Sequence, residues 1–170
     1  METEKKEKKI AIGDLAKSFV DSYQKTKLIT NIEKKQFPSR INVIQITEEL
    51  REILFPGYLG RTNLNWLNVE YYVGGKLDRL FNELQSEIAK AYGEEYSSKS
   101  LSQAECISLS CDQALAFFQK IPLIREMLED DVQAAFDGDP AAKNTDEIVF
   151  SYPGVMAISI YRLAHELLVQ

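Results

Sequence analysis

Apolar residues recur at three- and four-residue steps along most of this 170-residue chain, and nowhere does a period of two persist long enough to predict a sheet. Gly13-Asp14 precedes Leu15, Ala16, Phe19, Val20 and Tyr23, which predicts a first helix with Asp14 as its N-cap. Phe37-Pro38-Ser39 breaks that pattern. Ser39 then caps a second helix, whose apolar members Ile41, Ile44, Leu50, Ile53 and Leu54 run to the stop at Phe55-Pro56-Gly57. A loop through Gly60-Arg61-Thr62-Asn63 leads to a long third helix from about Asn65 to Tyr92, carrying Tyr72, Leu77, Leu80, Leu84 and Ile88. Gly74-Gly75 interrupts it, a place for another backbone to come close or for the helix to bend.

Ser97-Ser98-Lys99-Ser100 reads as a linker, and a fourth helix is predicted from about Ser102 to Ile121. Pro122 suits a first-helical position and opens a fifth helix to about Asp137, with Gly138 at C′ and Asp139-Pro140 preventing continuation. A short helical turn around Thr145 to Val149 precedes Pro153, and a last helix covers Gly154 to Val169. The expected fold is all-α, a bundle of six or seven helices over residues 13–170 with no β-helix. Residues 1–12, charged through Lys5, Lys6, Lys8 and Lys9 among Glu2, Glu4 and Glu7, are expected to form a disordered, solvated tail.

Two helical faces carry unusual residues. On the predicted fifth helix Glu126, Glu129, Asp130, Gln133 and Asp137 form a polar arc, but Asp131 falls on the apolar side, between Ile124 and Met127. An unpaired carboxylate there would cost several kcal/mol to bury. Asp131 therefore predicts a partner: an arginine, orphan helix-end N–H groups, or a ligand. On the last helix Met156, Ile160, Leu163, Ala164 and Leu167 form one apolar stripe, with Ile158, Tyr161, His165 and Leu168 opposite. Only Ser159, Arg162 and Glu166 make a clean polar strip. A helix apolar on two sides wants two neighbours, so the stripe Ile158, Tyr161, His165, Leu168 is expected to meet a second subunit.

Composition narrows the function classes. Lys plus Arg number 20 against 26 Asp plus Glu, a net charge of −6, which disfavours a nucleic-acid partner. The start has no apolar core of a secretory signal and no apolar run reaches the roughly 20 residues of a membrane span, so no membrane partner is expected. Cys106 and Cys111, about 140° apart around one helix, cannot bridge each other there, and two free thiols predict a cytoplasmic location. With a single histidine there is no zinc set, and a nucleophile triad would have to use His165, whose setting predicts a packed structural side chain. No P-loop, G-x-G-x-x-G or H-E-x-x-H spacing is present. Read from its residues alone, the chain is a helical module without a self-contained active site.

Three strings, in order, add to this. They are Asp131-Val132-Gln133-Ala134-Ala135-Phe136-Asp137-Gly138-Asp139-Pro140-Ala141-Ala142-Lys143, Tyr152-Pro153-Gly154-Val155-Met156-Ala157, and Tyr161-Arg162-Leu163-Ala164-His165-Glu166-Leu167. Together they resemble the N-terminal helical domain of bacterial serine O-acetyltransferases, and Phe55-Pro56-Gly57-Tyr58-Leu59-Gly60-Arg61 resembles the longer members. The similarity covers roughly residues 50–168. The resemblance implies an enzyme that moves acetyl from acetyl-CoA to serine, the first committed step to cysteine, with inhibition by cysteine at the serine site. It also implies assembly of homotrimers into a hexamer, with a dimer or trimer expected of this chain by itself.

In that family the catalytic residues and the acetyl-CoA contacts belong to a hexapeptide-repeat β-helix that follows the helical domain. This chain is therefore expected to bind no cofactor and no metal and to hold no catalytic residue. One functional residue carries over: Asp139, the aspartate of the D-P-A motif, implied to hold polar groups of the substrate serine. Its Asp-Pro turn also explains it as a helix stop. Two expectations stay open for the chain as a whole. It is a piece or truncated reading frame of a serine acetyltransferase, or it is a standalone helical module that co-assembles with full-length subunits and has no catalysis of its own.

Overall fold

The structure, a computed structural model, describes residues 2–33, 37–95 and 102–169. Six helices follow one another: α1 (Glu2–Lys25), α2 (Arg40–Leu54), α3 (Val69–Glu95), α4 (Gln103–Gly138), α5 (Thr145–Ser151) and α6 (Pro153–Val169). The described residues hold no strand, in keeping with the all-α reading. They fall into two compact units, Met1–Lys35 and Gln36–Gln170. The linker predicted at Ser97–Ser100 lies outside the described residues.

In the first unit, α1 runs from Glu2 to Lys25, and Asp14 sits inside the helix rather than capping it. Asp14 instead pairs with Lys17 one turn on, at 3.9 Å.

The second unit is organised by α4. Ser110, Ala114, Phe117, Ile121, Ile124, Leu128 and Val132 are buried along it at three- and four-residue steps, an uninterrupted seam. The predicted break at Pro122 does not occur; the proline lies inside one 36-residue helix. An interior proline costs about 3 kcal/mol. Fully burying an apolar side chain contributes about 1.5–3 kcal/mol, and Phe117, Ile121, Ile124 and Leu128 flank the proline on the same face, so burial outweighs the lost backbone bond. The helix ends on Gly138, and Asp139 rather than a C′ glycine supplies the cap. Gly74 and Gly75 do not interrupt α3 either; nothing approaches where their Cβ atoms would be.

Polar contacts fix how α2 sits among its neighbours. At its start Ser39 caps through Asn42 N–H, and the buried Glu87 carboxylate of α3 accepts from Ser39 N–H at 2.6 Å and from the Asn42 amide at 2.8 Å. Burial pushes Glu87 up, but the bonds from Lys90, Asn42 and Ser39 outweigh it and hold the carboxyl below its ordinary value. At the other end Arg125 of α4 donates to the carbonyls of Ile53 and Leu54, a cation at a helix C-terminus. Along its side Lys76 of α3 lies 3.1 Å from Glu49 and 3.0 Å from Glu52. Glu52 also lies over Gly60, whose φ of +69° is a backbone conformation that favours glycine.

The polar strip of α6 turns inward, contrary to the two-stripe expectation. Ser159 is fully buried between Val155 and Leu163; it accepts from Arg51 Nε at 3.2 Å and donates to the Met156 carbonyl at 2.8 Å. Arg162 grips Asp131 with two bonds, Nε to Oδ2 at 2.6 Å and Nη2 to Oδ1 at 2.8 Å. Asp131 thus has the arginine partner that its place on the apolar side of α4 demanded. Ile158, expected to meet a second subunit, packs against the core, whereas Tyr161, Leu168 and Met156 are exposed. His165 is not packed inside but exposed, stacked on Tyr161 with ring centroids 5.7 Å apart.

Removing one partner of the half-buried α4–α6 pair should cost more than removing both. Asp131→Ala is expected to lower the unfolding free energy by about 1–3 kcal/mol in urea melts, because Arg162 is left uncompensated. Asp131→Leu with Arg162→Met should come closer to wild type than either single change.

Candidate functional site

Asp139 terminates α4 because the next residue is proline, which pushes its own backbone into the extended region at φ −120° and ψ 99°. Its N–H still reaches the Phe136 carbonyl, at 3.4 Å, and its carbonyl accepts from Ala142 N–H at 3.0 Å. The side chain folds over the turn: Oδ1 accepts from Ala141 N–H at 2.9 Å. Oδ2 accepts from the Tyr152 hydroxyl at 2.5 Å. The D-P-A and Y-P-G motifs, 13 residues apart in sequence, therefore meet through one hydrogen bond.

The segment between them is a short, well-capped helix. Asn144 caps α5 by accepting from Glu147 N–H at 2.9 Å, and the Glu147 carboxylate accepts from Lys143 N–H at 3.0 Å. Ile148 is completely buried and roots α5 in the core. Tyr58, from the Phe55–Gly60 turn, donates to Asp146 and packs edge-on against Phe150, with ring centroids 5.4 Å apart. The turn thus braces α5 from the α2 side.

The electrostatics follow from the contacts. The Tyr152 hydroxyl, with the Ala141 N–H second, holds the Asp139 carboxyl below its ordinary value against a small opposing effect of burial. The same bond, followed by burial and by the charges of Asp139 and Glu147, pushes the Tyr152 phenol up to about 12. Asp139 is half-buried, and among the described residues no lysine or arginine pairs with it. It is an ionised carboxylate, held by two neutral donors, with acceptor capacity to spare.

The other sequence candidates resolve differently. Asp131 is tied to Arg162 rather than to a ligand, and His165 stands on the outer side of α6. Tyr152 is the residue that reading the sequence did not single out as functional. Its signal was there in outline: a tyrosine immediately before a helix-opening proline, whose hydroxyl needs a partner if the ring packs. Two clefts lie elsewhere. A groove of about 920 Å³ runs past Leu54, Trp66, Val73, Phe118, Leu128 and Val149, and a polar one of about 340 Å³ lies between α2 and α3 at Asn42, Asn82 and Lys90; Asp139 lines neither. Among the described residues no cluster of His, Cys, Asp or Glu could hold a metal ion, and no helix is long and apolar enough to cross a membrane.

The Asp139–Tyr152 bond should be visible in pH-dependent stability. Tyr152 titrates near 12 in the folded chain against 10.0 ordinarily, so its contribution is complete below about pH 10 and lost as the pH rises toward 12. Asp139 is depressed, so its contribution is present above about pH 4 and lost below it. Thermal melts of the wild type should fall more steeply between pH 10 and 12 than those of Tyr152→Phe. Parallel curves would show that the bond does not persist in solution.

No family model matches the chain. Among curated proteins it is 37% identical over 133 residues to a plasmid-encoded serine acetyltransferase of Synechococcus elongatus, covering 76% of this chain and 42% of that protein. A serine acetyltransferase of Bacillus licheniformis is 45% identical over 42 residues, 25% of this chain and 19% of its own length. Among solved structures, serine acetyltransferase isoform 3 of Entamoeba histolytica, crystallised in complex with cysteine, superposes with a TM-score of 0.58 at 27% identity, over 92% of this chain and 51% of that one. The chain thus spans less than half the length of the curated relatives it matches. By the helical stretch that it shares with these proteins, the chain belongs to the serine acetyltransferase family.

Proposed function

We propose that this chain is the N-terminal assembly domain of a cytoplasmic serine O-acetyltransferase, which transfers acetyl from acetyl-CoA to L-serine in cysteine biosynthesis. Within it Asp139 lends its carboxylate to the serine site. The observation that carries this reading is the state of Asp139: ionised, half-exposed at a helix terminus, and without a cation of its own among the described residues. Asp131, similarly half-buried, is engaged on both carboxylate oxygens by an arginine. Asp139 instead keeps lone pairs for a donor from outside, such as an ammonium or hydroxyl group. Acetyl-CoA and the catalytic base are assigned to the β-helix of the full enzyme, and no residue of this chain is assigned to either.

Subunit association belongs to the same proposal. Tyr161 and Leu168, on one side of α6, are both exposed, and association is the usual way for such a face to leave water. Replacing Tyr161 and Leu168 by Lys should shift the chain toward monomer in light scattering while leaving its helical circular dichroism unchanged. An unaltered mass would move the subunit interface elsewhere.

The catalytic division has two tests. The purified chain, given acetyl-CoA and serine, should release coenzyme only at the background rate, because general-base catalysis contributes roughly 10²–10⁴-fold and its sole histidine is a surface residue of α6. Release well above background, lost in His165→Ala, would contradict the division. In an active enzyme carrying this helical domain, Asp139→Ala should raise the serine KM and weaken cysteine inhibition by roughly 10- to 150-fold, the size of a charge-assisted hydrogen bond. The KM for acetyl-CoA should stay as it was. A serine KM that does not move returns Asp139 to a helix-stopping turn.

A further inference from the structure

An aspartate side chain with one hydrogen bond can still swing about it. Ala141 N–H holds Oδ1 of Asp139 at 2.9 Å, and that bond by itself leaves the plane of the carboxylate free to rotate. The Tyr152 hydroxyl, on Oδ2, removes that freedom, because two donors on two oxygens define the plane. An ionised carboxylate offers about four acceptor sites, so about two stay unused.

The position of the hydroxyl is itself determined by the core. The Tyr152 N–H donates to the Ile148 carbonyl at 3.2 Å, and its carbonyl accepts from Val155 N–H at 3.1 Å. Ile148 is fully buried and Val155 is 4% exposed, so the backbone of Tyr152 is clamped between two anchored residues where α5 passes into α6. The ring packs against the same core. A rigid aromatic on a clamped backbone places its oxygen with little freedom, which a serine or lysine at this position could not do.

We propose that Tyr152 is a positioning residue for the serine site: its hydroxyl locks the Asp139 carboxylate in the plane that presents the unused acceptor sites to the donor groups of an amino-acid ligand. This rests on the reading of Asp139 as a substrate contact. Tyr152 touches no reacting atom; it acts through Asp139. The ammonium group of the amino acid is the donor that gains most, since it brings a positive charge to a carboxylate that no lysine or arginine among the described residues pairs with.

Tyr152→Phe isolates the hydroxyl, because the ring that packs against the core is retained. In an active serine acetyltransferase carrying this helical domain, Tyr152→Phe should raise the serine KM roughly 5- to 30-fold, with the acetyl-CoA KM near wild type and the fold retained by circular dichroism, the melting temperature at neutral pH falling only by the share of the one hydrogen bond. In an Asp139→Ala background the same substitution should add nothing, as expected of two residues acting as one unit. In the chain itself, carbon-detected NMR of the Asp139 carboxyl should show its titration moving up toward the ordinary range in Tyr152→Phe. A serine KM raised by Asp139→Ala but untouched by Tyr152→Phe overturns this proposal and leaves the substrate-contact reading standing. A KM unmoved in both variants overturns both. A Tyr152→Phe effect that persists in full without the Asp139 carboxylate, or an Asp139 titration that does not move, also overturns the positioning role.

Discussion

The second unit rests on one constraint: α4 must run unbroken past Pro122, because its core hangs on the apolar seam of that helix. Phe117 and Ile121 lie before the proline, Ile124 and Leu128 after it, and all four keep the same phase around the helix. With a 36-residue helix, about 54 Å long, one seam can face α3 along its first part and α5 and α6 along its last. A break at Ile121 would turn Ile124, Leu128 and Val132 onto a different axis and separate the two halves of the core. The missing backbone bond at Pro122 is a local loss set against a gain shared by every element packed on the seam.

Direction comes from polar contacts rather than from the seam. Asp131–Arg162 and Arg51–Ser159 decide which face of α6 turns inward, and Glu87 and Arg125 hold the two ends of α2. Such half-buried pairs offset their own desolvation with little to spare, so their effect is on specificity of orientation more than on net stability. An apolar α6 could rotate about its axis and still bury a comparable area. With Ser159 and Arg162 each committed to one partner, it cannot.

The candidate site follows from that orientation. Asp139 ends the helix that carries the core, Tyr152 opens the way into the helix that Arg162 fixes, and their hydrogen bond closes the path between them. The Asp139 carboxylate, proposed to contact substrate, is therefore held between the end of α4 and the start of α6. Such rigidity is what the proposed role asks of Asp139, since a contact group held in one geometry loses less freedom when a ligand binds.

Much of this was legible in the residues. Period-3.6 patterning predicted α2, α3, α5 and α6 to within a few positions, Ser39 was recognisable as a cap, and Asp131 on an apolar face required a partner before the structure supplied Arg162. These readings succeed because they depend on neighbours within one or two turns. What failed depends on distant chain. Pro122 looks like a helix start until the seam on both sides is seen to pack as one surface. Ser159 and Arg162 look like a solvent strip until Arg51 and Asp131, 108 and 31 residues away in sequence, are brought beside them. The Asp139–Tyr152 bond belongs to the second kind: each residue stands in its own motif, and only the close approach of the end of α4 to the start of α6 joins a helix stop and an aromatic into a single preorganised carboxylate.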